Sequence, residues 1–120
     1  MKKTIMLFAG TTEGRKICEF LAVKKCIIHV YVTTEYGKEL LPGQNNVHIH
    51  VGKMDEKQMS DEISVILPDI VIDATHPYAT QVTHNIKEAC DRRNIFYVRV
   101  LREENTVEAG NNADNIIYTE

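Results

Sequence analysis

Residues 5–15 have the sequence IMLFAGTTEGR. The first five of them form a continuous apolar run, which is typical of a strand buried on both faces of a sheet. Gly10 follows this run at once, and apolar side chains then recur at helical spacing from Glu13 to Lys24. The stretch therefore predicts a strand, a tight turn at the glycine and a helix after it.

The rest of the chain repeats this alternation of strand and helix patterns. Apolar and β-branched runs predict strands over residues 27–32, 47–51, 70–72 and 96–100. Helical spacing predicts a short helix over residues 36–41, a helix that contains Met59 and ends at Pro68, and a helix with Pro77 in its first turn. Five strands separated by helices predict an α/β fold, a doubly wound parallel sheet of about five strands with helices on both faces.

Composition excludes several classes of protein. The chain has 120 residues, enough for about one domain, and its net charge of −3 argues against general nucleic-acid binding. No apolar run approaches the roughly 18 residues of a membrane helix, and the run that ends at Ala9 is too short for a secretion signal. The three cysteines form no CxxC motif, so we expect reduced, packed thiols in a cytoplasmic protein. The oligomeric state stays open.

The pattern changes towards the end of the chain. Residues 102–115 are polar and show no periodicity, whereas residues 116–118 are apolar and resemble the start of a sixth strand. We therefore expect one domain over residues 1–101, followed over residues 102–120 by a linker and the start of a second domain. The alternative is a short edge strand that completes a single domain.

The turn after the first strand is a candidate phosphate site, because ligands of open parallel sheets bind beyond the carboxyl ends of the strands. Gly10 lets the backbone turn and approach a ligand, and free N–H groups at the start of the next helix attract anions. The hydroxyls of Thr11 and Thr12 add possible donors, and Glu13 follows them. The spacing is neither GxGxxG nor a P-loop, so a tight turn with a threonine helix cap explains it equally well.

The second strand is followed by Thr34, Glu35 and Tyr36, about twenty residues beyond the glycine turn. An acid at that distance often binds the ribose hydroxyls of an NAD-type cofactor, although Glu35 could instead cap the next helix. A 2′-phosphate beside Glu35 would be repelled, so NADPH requires Glu35 to point away and Lys38 or Arg15 to compensate. Both NADPH and NADH therefore remain open.

The fourth strand is followed by the segment Asp73-Ala74-Thr75-His76-Pro77-Tyr78-Ala79. This segment places an acid, a hydroxyl and an imidazole at the predicted ligand edge. Histidine is the usual proton donor at neutral pH, so His76 is the best candidate for a group that donates a proton to a ligand or polarises it. The alternative is helix capping by Thr75 beside a surface histidine.

The remaining histidines and tyrosines carry weaker signals. His48 and His50 share one face of the third strand, but no further ligand has recognisable spacing, and we predict no metal site. His84 is expected at a helix surface. Tyr36 and Tyr78 could stack on a bound ring or simply pack.

Three segments together resemble the precorrin-6A reductase family of cobalamin biosynthesis: Gly10–Arg15, Thr34–Gly37 and Asp73–Ala79. Their order and spacing match the N-terminal half of that family, which commonly opens with two glycines where this chain has Ala9 and Gly10. The resemblance implies that residues 1–101 form a Rossmann-like domain that binds NADPH or NADH, and that a second domain is missing.

The resemblance also implies an activity. Such oxidoreductases use the nicotinamide nucleotide to reduce one carbon–carbon double bond of precorrin-6A or of its cobalt-loaded form. The tetrapyrrole substrate would lie between the two domains, so this piece is expected to bind nucleotide without turnover. His76 is the implied catalytic residue, and the implied cofactor-binding residues are Gly10, Thr11, Thr12, Glu13, Thr34, Glu35, Tyr36, Thr75, His76 and Pro77.

Three other protein classes share this order of elements. A non-catalytic nucleotide-sensing Rossmann module usually has a fuller GxGxxG motif, and the His76-Pro77 pair disfavours it. A signalling receiver domain needs two acids after the first strand, where Ala9 and Gly10 stand. A short-chain epimerase needs a Tyr-x-x-x-Lys motif, which this sequence lacks.

Overall fold

The computed structural model describes residues 2–102 and 116–119. The strands of these ranges are β1 (Lys3–Phe8), β2 (Cys26–Val32), β3 (Val47–Val51), β4 (Ile70–Asp73), β5 (Tyr97–Arg102) and β6 (Ile116–Thr119). The helices are α1 (Thr12–Ala22), α2 (Glu35–Glu39), α3 (Glu56–Ile66) and α4 (Thr80–Arg93). Every strand and helix predicted from the apolar pattern is present, with ends that differ by a few residues.

The strands form one parallel sheet in the order β3-β2-β1-β4-β5-β6. β1 is central, because it pairs with β2 on one side and with β4 on the other. The winding of the chain reverses between β1 and β4, and a crevice opens at the carboxyl ends of strands at such a point. The predicted α/β class is therefore confirmed. The described sheet has six strands where about five were expected.

The two faces of the sheet bury separate apolar clusters. Successive side chains of a strand point to opposite faces, so Ile5 and Leu7 join one cluster while Met6 and Phe8 join the other. Helix α1 contributes Cys18 to the first cluster. Helices α3 and α4 contribute to the second cluster Met59, Ile63, Ile86, Ala89 and Cys90. Helices thus cover both faces, which explains why β1 is apolar without alternation.

The start of α4 differs from its prediction. Pro77 was expected in the first helical turn, but α4 begins at Thr80 and has no side-chain cap. The reason is a distant side chain: Arg99 in β5 donates hydrogen bonds to the carbonyls of Thr75 and His76 and holds this segment as a loop. The helix consequently starts at Thr80, beyond the two residues that Arg99 contacts.

The C-terminal strand β6 lies at the edge of the sheet, beside β5. Residues 116–119 pair in parallel with β5 and so extend the same sheet, and the division of the chain into two domains stays a prediction. Arg102, expected in a linker, is the last residue of β5. The rest of the predicted linker, residues 103–115, lies outside the described residues. The sheet therefore continues beyond the boundary predicted at residue 101.

The cysteines agree with their prediction as packed thiols. Cys18, Cys26 and Cys90 are all free and buried. Burial, together with the neighbouring Glu19, raises the pKa of Cys18 to about 11.

The described part of the chain contains no helix with the length and apolar character to cross a bilayer.

Candidate functional site

Two cavities open at the carboxyl edge of the sheet, one on each face. The larger has a volume of about 550 Å³ and is lined by residues of α1 and α2. The smaller has a volume of about 310 Å³ and is lined by residues of α3 and α4. Ala9, Val32 and Thr33 line both, so the cavities meet where β1 and β2 end. Their position is the one expected for a ligand crevice in a sheet of this order.

The larger cavity brings together most of the residues predicted to bind a cofactor. Its lining includes Gly10, Thr11, Thr12, Glu13, Thr34, Tyr36, His76 and Pro77. Thr75 lines the smaller cavity instead. Glu35 is exposed on α2 and belongs to the lining of neither cavity. Three loops that are distant in sequence thus meet at one edge of the sheet.

Gly10 makes the turn from β1 into α1. Its φ of +125° lies in a region that L side chains rarely adopt, whereas a Cβ at this position would meet no atom within 4 Å. Backbone conformation, and not crowding, therefore requires the glycine. The space beside it remains open on the side of the larger cavity.

The first turn of α1 is capped by Thr11. Its hydroxyl accepts a hydrogen bond of 3.1 Å from the Gly14 N–H and donates one of 2.6 Å to the Ala74 carbonyl. The threonine cap is therefore confirmed, and in this structure the single hydroxyl proton is used by the Ala74 carbonyl. The N–H groups of Thr12 and Glu13 have no acceptor within the helix, as in the first turn of helices generally.

Gly14 allows α1 to lie close against β1. A Cβ on Gly14 would come within 2.8 Å of the Ala9 Cβ and 2.9 Å of the Ala9 Cα. The alanine that stands at position 9 therefore fits only because the residue opposite it has no side chain. This contact explains how the chain accommodates an alanine between β1 and Gly10.

An ion pair closes one side of the larger cavity. Arg102 Nε at the end of β5 donates to Glu13 Oε2 in the first turn of α1 at 2.6 Å. The Glu13 side chain is only 12% exposed, so its charge is poorly screened by solvent. The guanidinium neutralises a carboxylate that would otherwise oppose anion binding at the start of α1.

The loop after β2 begins a short helix. Thr34 Oγ1 accepts a hydrogen bond of 3.0 Å from the Gly37 N–H, so Thr34 caps α2 and the alternative in which Glu35 is the cap is wrong. Thr34 and Tyr36 line the larger cavity. The polar side chains of this loop that line the cavity are therefore those of Thr33, Thr34 and Tyr36, while Glu35 lies outside the lining.

Asp73 ends β4 and is completely buried. Its carboxylate accepts hydrogen bonds of 2.7 Å from the Thr75 hydroxyl, 2.8 Å from the Thr83 hydroxyl and 2.8 Å from the Tyr97 hydroxyl. Burial, followed by the charge of Asp73, raises the pKa of Tyr97 well above its usual range, so the phenol keeps its proton and donates it. Thr75 is occupied by Asp73 and does not cap α4, which excludes the capping alternative.

Arg99 completes this buried cluster from the neighbouring strand. It pairs in register with Asp73, and Arg99 Nη1 lies 3.2 Å from Asp73 Oδ1. The same guanidinium donates at 2.8 Å to the Thr75 carbonyl and at 3.3 Å to the His76 carbonyl. Sequence analysis missed this residue. The signal that could have found it was a lone cation inside the apolar run over residues 96–100.

His76 is exposed at the rim of the larger cavity. Its Nδ1 accepts a hydrogen bond of 3.1 Å from the Tyr78 N–H, and the Tyr78 ring lies beside it with 5.2 Å between the centroids. An imidazole whose Nδ1 accepts a hydrogen bond carries its proton on Nε2 in the neutral form. His76 therefore presents a donor, Nε2–H, beyond the end of β4.

A second group of histidines lies on β2 and β3. The ring of His29 stacks on that of His48 at 4.9 Å, and its Nδ1 lies 3.0 Å from His50 Nε2. Burial, and then the neighbouring His50 and His48, lower the pKa of His29. Within residues 2–102 and 116–119, no three His, Cys, Asp or Glu side chains are arranged to hold a metal ion. His84 is exposed on α4, as predicted.

The chain is similar to proteins of one enzyme family. The family model described as precorrin-6x reductase CbiJ/CobK matches residues 4–120. The cobalt-precorrin-6A reductase of Methanocaldococcus jannaschii is 33% identical over 116 residues, which are 95% of this chain and 44% of that protein. The cobalt-precorrin-6A reductase of Methanothermobacter thermautotrophicus is 31% identical over 104 residues, 86% of this chain and 34% of that protein. The chain thus spans less than half the length of these curated relatives.

Solved structures show the same fold. A structure of CobK precorrin-6A reductase superposes with a TM-score of 0.73 at 24% identity, covering 90% of this chain and 42% of that one. The Bordetella bronchiseptica enzyme WbmH, solved in complex with NAD⁺, superposes with a TM-score of 0.68 at 19% identity, covering 85% of this chain and 40% of that one. These superpositions show a Rossmann-like α/β fold. Because the family model matches nearly all of the sequence, the chain belongs to the precorrin-6x reductase family.

Proposed function

We propose that this chain forms the nucleotide-binding part of an enzyme that reduces one carbon–carbon double bond of precorrin-6A or cobalt-precorrin-6A with NADPH or NADH. One observation carries the proposal: in a member of this family, a single cavity joins the turn at Gly10 to the loop of His76 and Pro77. Since the chain spans less than half of its curated relatives, we expect the tetrapyrrole to need further residues beyond this chain.

The residues of the larger cavity fit a dinucleotide diphosphate. Gly10 leaves open space at the start of α1, and the N–H groups of Thr12 and Glu13 point out of the first helical turn. Such a turn binds phosphate through backbone donors and through the helix dipole. The volume of about 550 Å³ lies within the usual range for small-molecule sites. Glu13 contributes to binding through its backbone, because its carboxylate is paired with Arg102.

The adenosine half is assigned to the loop after β2. Thr34 and Tyr36 line the cavity there, and Arg15 lines it from α1. The carboxylate of Glu35 lies outside this lining, so it does not face a 2′-phosphate from within the cavity. We therefore expect the cavity to accept the ribose of NADPH as well as that of NADH, and both nucleotides are compared in the experiment below.

The nicotinamide half is assigned to the loop of His76 and Pro77. A bound reduced nicotinamide supplies the hydride for the double bond. The second carbon of that bond needs a proton, and the Nε2–H of His76 is the donor that this loop presents. The hydrogen bond from the Tyr78 N–H fixes the tautomer and the ring orientation that this role requires.

We also propose a cytoplasmic location, with the tetrapyrrole as a small-molecule partner. Three free, buried thiols support a reducing compartment. The net charge of −3 supports a partner other than a nucleic acid.

Calorimetric titration of the 120-residue chain with NADPH and NADH tests nucleotide binding. Magnesium with acetyl phosphate serves as the nucleotide-free control. We expect at least one nucleotide to bind and Gly10→Ala to bind it about tenfold more weakly, because the alanine strains a left-handed turn. Gly43→Ala is the control substitution, since Gly43 has open space and does not line the cavity. Absence of binding, or equal binding by Gly10→Ala, would contradict the proposal.

Turnover requires an enzyme of the relatives' full length that contains this chain. The assay follows loss of the nucleotide's absorbance in the presence of precorrin-6A or cobalt-precorrin-6A. His76→Ala is expected to lower the turnover number while nucleotide affinity stays within a few-fold of the parent. His84→Ala, which removes another exposed imidazole, should leave both unchanged. Unchanged turnover in His76→Ala would exclude the proton-donor role, and nucleotide binding without any reduction would favour a sensing module.

A further inference from the structure

We propose that Arg99 is a positioning residue that sets the His76 loop for the nicotinamide half of the nucleotide; this inference rests on the proposed function. Arg99 is 6% exposed and lies behind the loop, so it is not expected to contact the ligand. Its guanidinium donates to two successive carbonyls of the loop, Thr75 at 2.8 Å and His76 at 3.3 Å. The Ala79 N–H also donates to the His76 carbonyl, at 2.9 Å.

The Arg99 side chain is itself held in one orientation by Asp73. The guanidinium donates at 3.2 Å to both the carboxylate and the backbone carbonyl of Asp73. Thr83 and Tyr97 hold the second carboxylate oxygen. The donors of a planar guanidinium have a fixed geometry, so fixing one side of the group against Asp73 also fixes the donors that face the loop. A lysine keeps the charge but lacks this fork.

These contacts set the direction of the loop peptides. The Thr75 carbonyl points at Arg99, and a trans peptide directs its N–H away from its carbonyl, so the His76 N–H points away from Arg99. The same segment places His76 and Pro77 in the lining of the larger cavity. Loss of the guanidinium should therefore disturb the end of the crevice that receives the nicotinamide, while the turn at Gly10 keeps its own contacts.

A comparison of two ligands on the 120-residue chain tests this inference. NADH is paired with ADP-ribose, and NADPH with 2′-phospho-ADP-ribose, because each truncated ligand lacks only the nicotinamide. We expect Arg99→Lys to bind the complete nucleotide about tenfold more weakly and the truncated ligand within twofold of the parent. Arg93→Lys is the matched control: it makes the same replacement at an arginine that donates to Ser60 and not to the loop, and both affinities should stay within twofold.

A second measurement covers the case in which Arg99→Lys fails to fold. In the parent chain, the guanidinium NMR resonances of Arg99 should shift on addition of the complete nucleotide and stay unchanged with the truncated one. The positioning role would be overturned if Arg99→Lys weakened the binding of both ligands equally or of neither. Equal resonance shifts with both ligands would overturn it too. None of these results would contradict the proposed nucleotide site. Failure of the parent chain to bind any of the ligands would refute the nucleotide site itself, and this inference with it.

Discussion

Arg102 at the end of β5 and Glu13 in the first turn of α1 are joined by a hydrogen-bonded ion pair of 2.6 Å. The pair connects the last residue of β5 with the first turn of α1, at the rim of the larger cavity. Its charge arrangement matters because Glu13 belongs to the same turn that we assign to the diphosphate. A carboxylate in that turn is compatible with a polyanionic ligand only when a cation neutralises it.

Arg102→Gln should therefore weaken nucleotide binding by about three- to tenfold, since it leaves the Glu13 carboxylate uncompensated beside the phosphates. The double variant Glu13→Gln/Arg102→Gln should recover most of the lost affinity. Calorimetric titration with NADH and ADP-ribose measures the affinities of the single and the double variant. A double variant as weak as Arg102→Gln would show instead that Arg102 contacts the ligand directly.

Gly14→Ala should lower the free energy of unfolding by about 1–3 kcal/mol, because the new Cβ overlaps Ala9 and forces α1 away from β1. The compensating change Ala9→Gly in the same chain should restore a large part of that stability. Urea denaturation followed by circular dichroism measures the three chains. If Ala9→Gly does not restore stability, contact with Ala9 is not the reason why a side chain at position 14 destabilises the fold.

His29 on β2 should make stability depend on pH. The pKa of His29 is lowered in the folded chain, so its neutral form stabilises the fold fully above about pH 6.5 and this contribution is lost as pH falls through the lowered pKa. When the pH is lowered from 7.5 to 5, the free energy of unfolding should therefore fall less in His29→Gln than in the parent chain. Urea denaturation at several pH values gives the comparison, and parallel pH profiles for the two chains would exclude His29 as the cause.

The buried thiols should be unreactive in the folded chain. Burial raises the pKa of Cys18 to about 11 and that of Cys90 to about 12, so almost no thiolate exists at pH 8. Ellman's reagent should therefore react only as fast as the chain opens, and all three cysteines should react in concentrated urea. Rapid labelling of one thiol in the absence of denaturant would show that its surroundings open without global unfolding.

Local patterns were sufficient to predict the fold class. The apolar run at Ile5–Ala9 predicts a strand covered on both faces, and β1 has this environment because its alternate side chains enter two different clusters. The turn at Gly10 and the threonine cap of α1 also follow from short-range chemistry, since a positive φ and a helix N-terminus select these residue types.

Contacts between distant residues account for the features that the sequence did not predict. The hydroxyl of Thr11 is used by Ala74, which is 63 positions away, so the sequence around Thr11 gives no sign of this contact. The late start of α4 depends on Arg99, 24 positions beyond Thr75. The periodicity of apolar residues identifies helices and strands. It does not show which side chain of one element contacts the loop beside another.

The central position of β1 has a consequence for synthesis of the chain. β1 is translated before β4, with which it pairs, and the Thr4 N–H meets the Asp69 carboxylate across 65 positions at 2.8 Å. A nascent chain that ends before residue 70 therefore carries its central strand with one edge unpaired. Unpaired strand edges favour aggregation, so the interval between translation of β1 and of β4 is the period in which this protein most needs a chaperone.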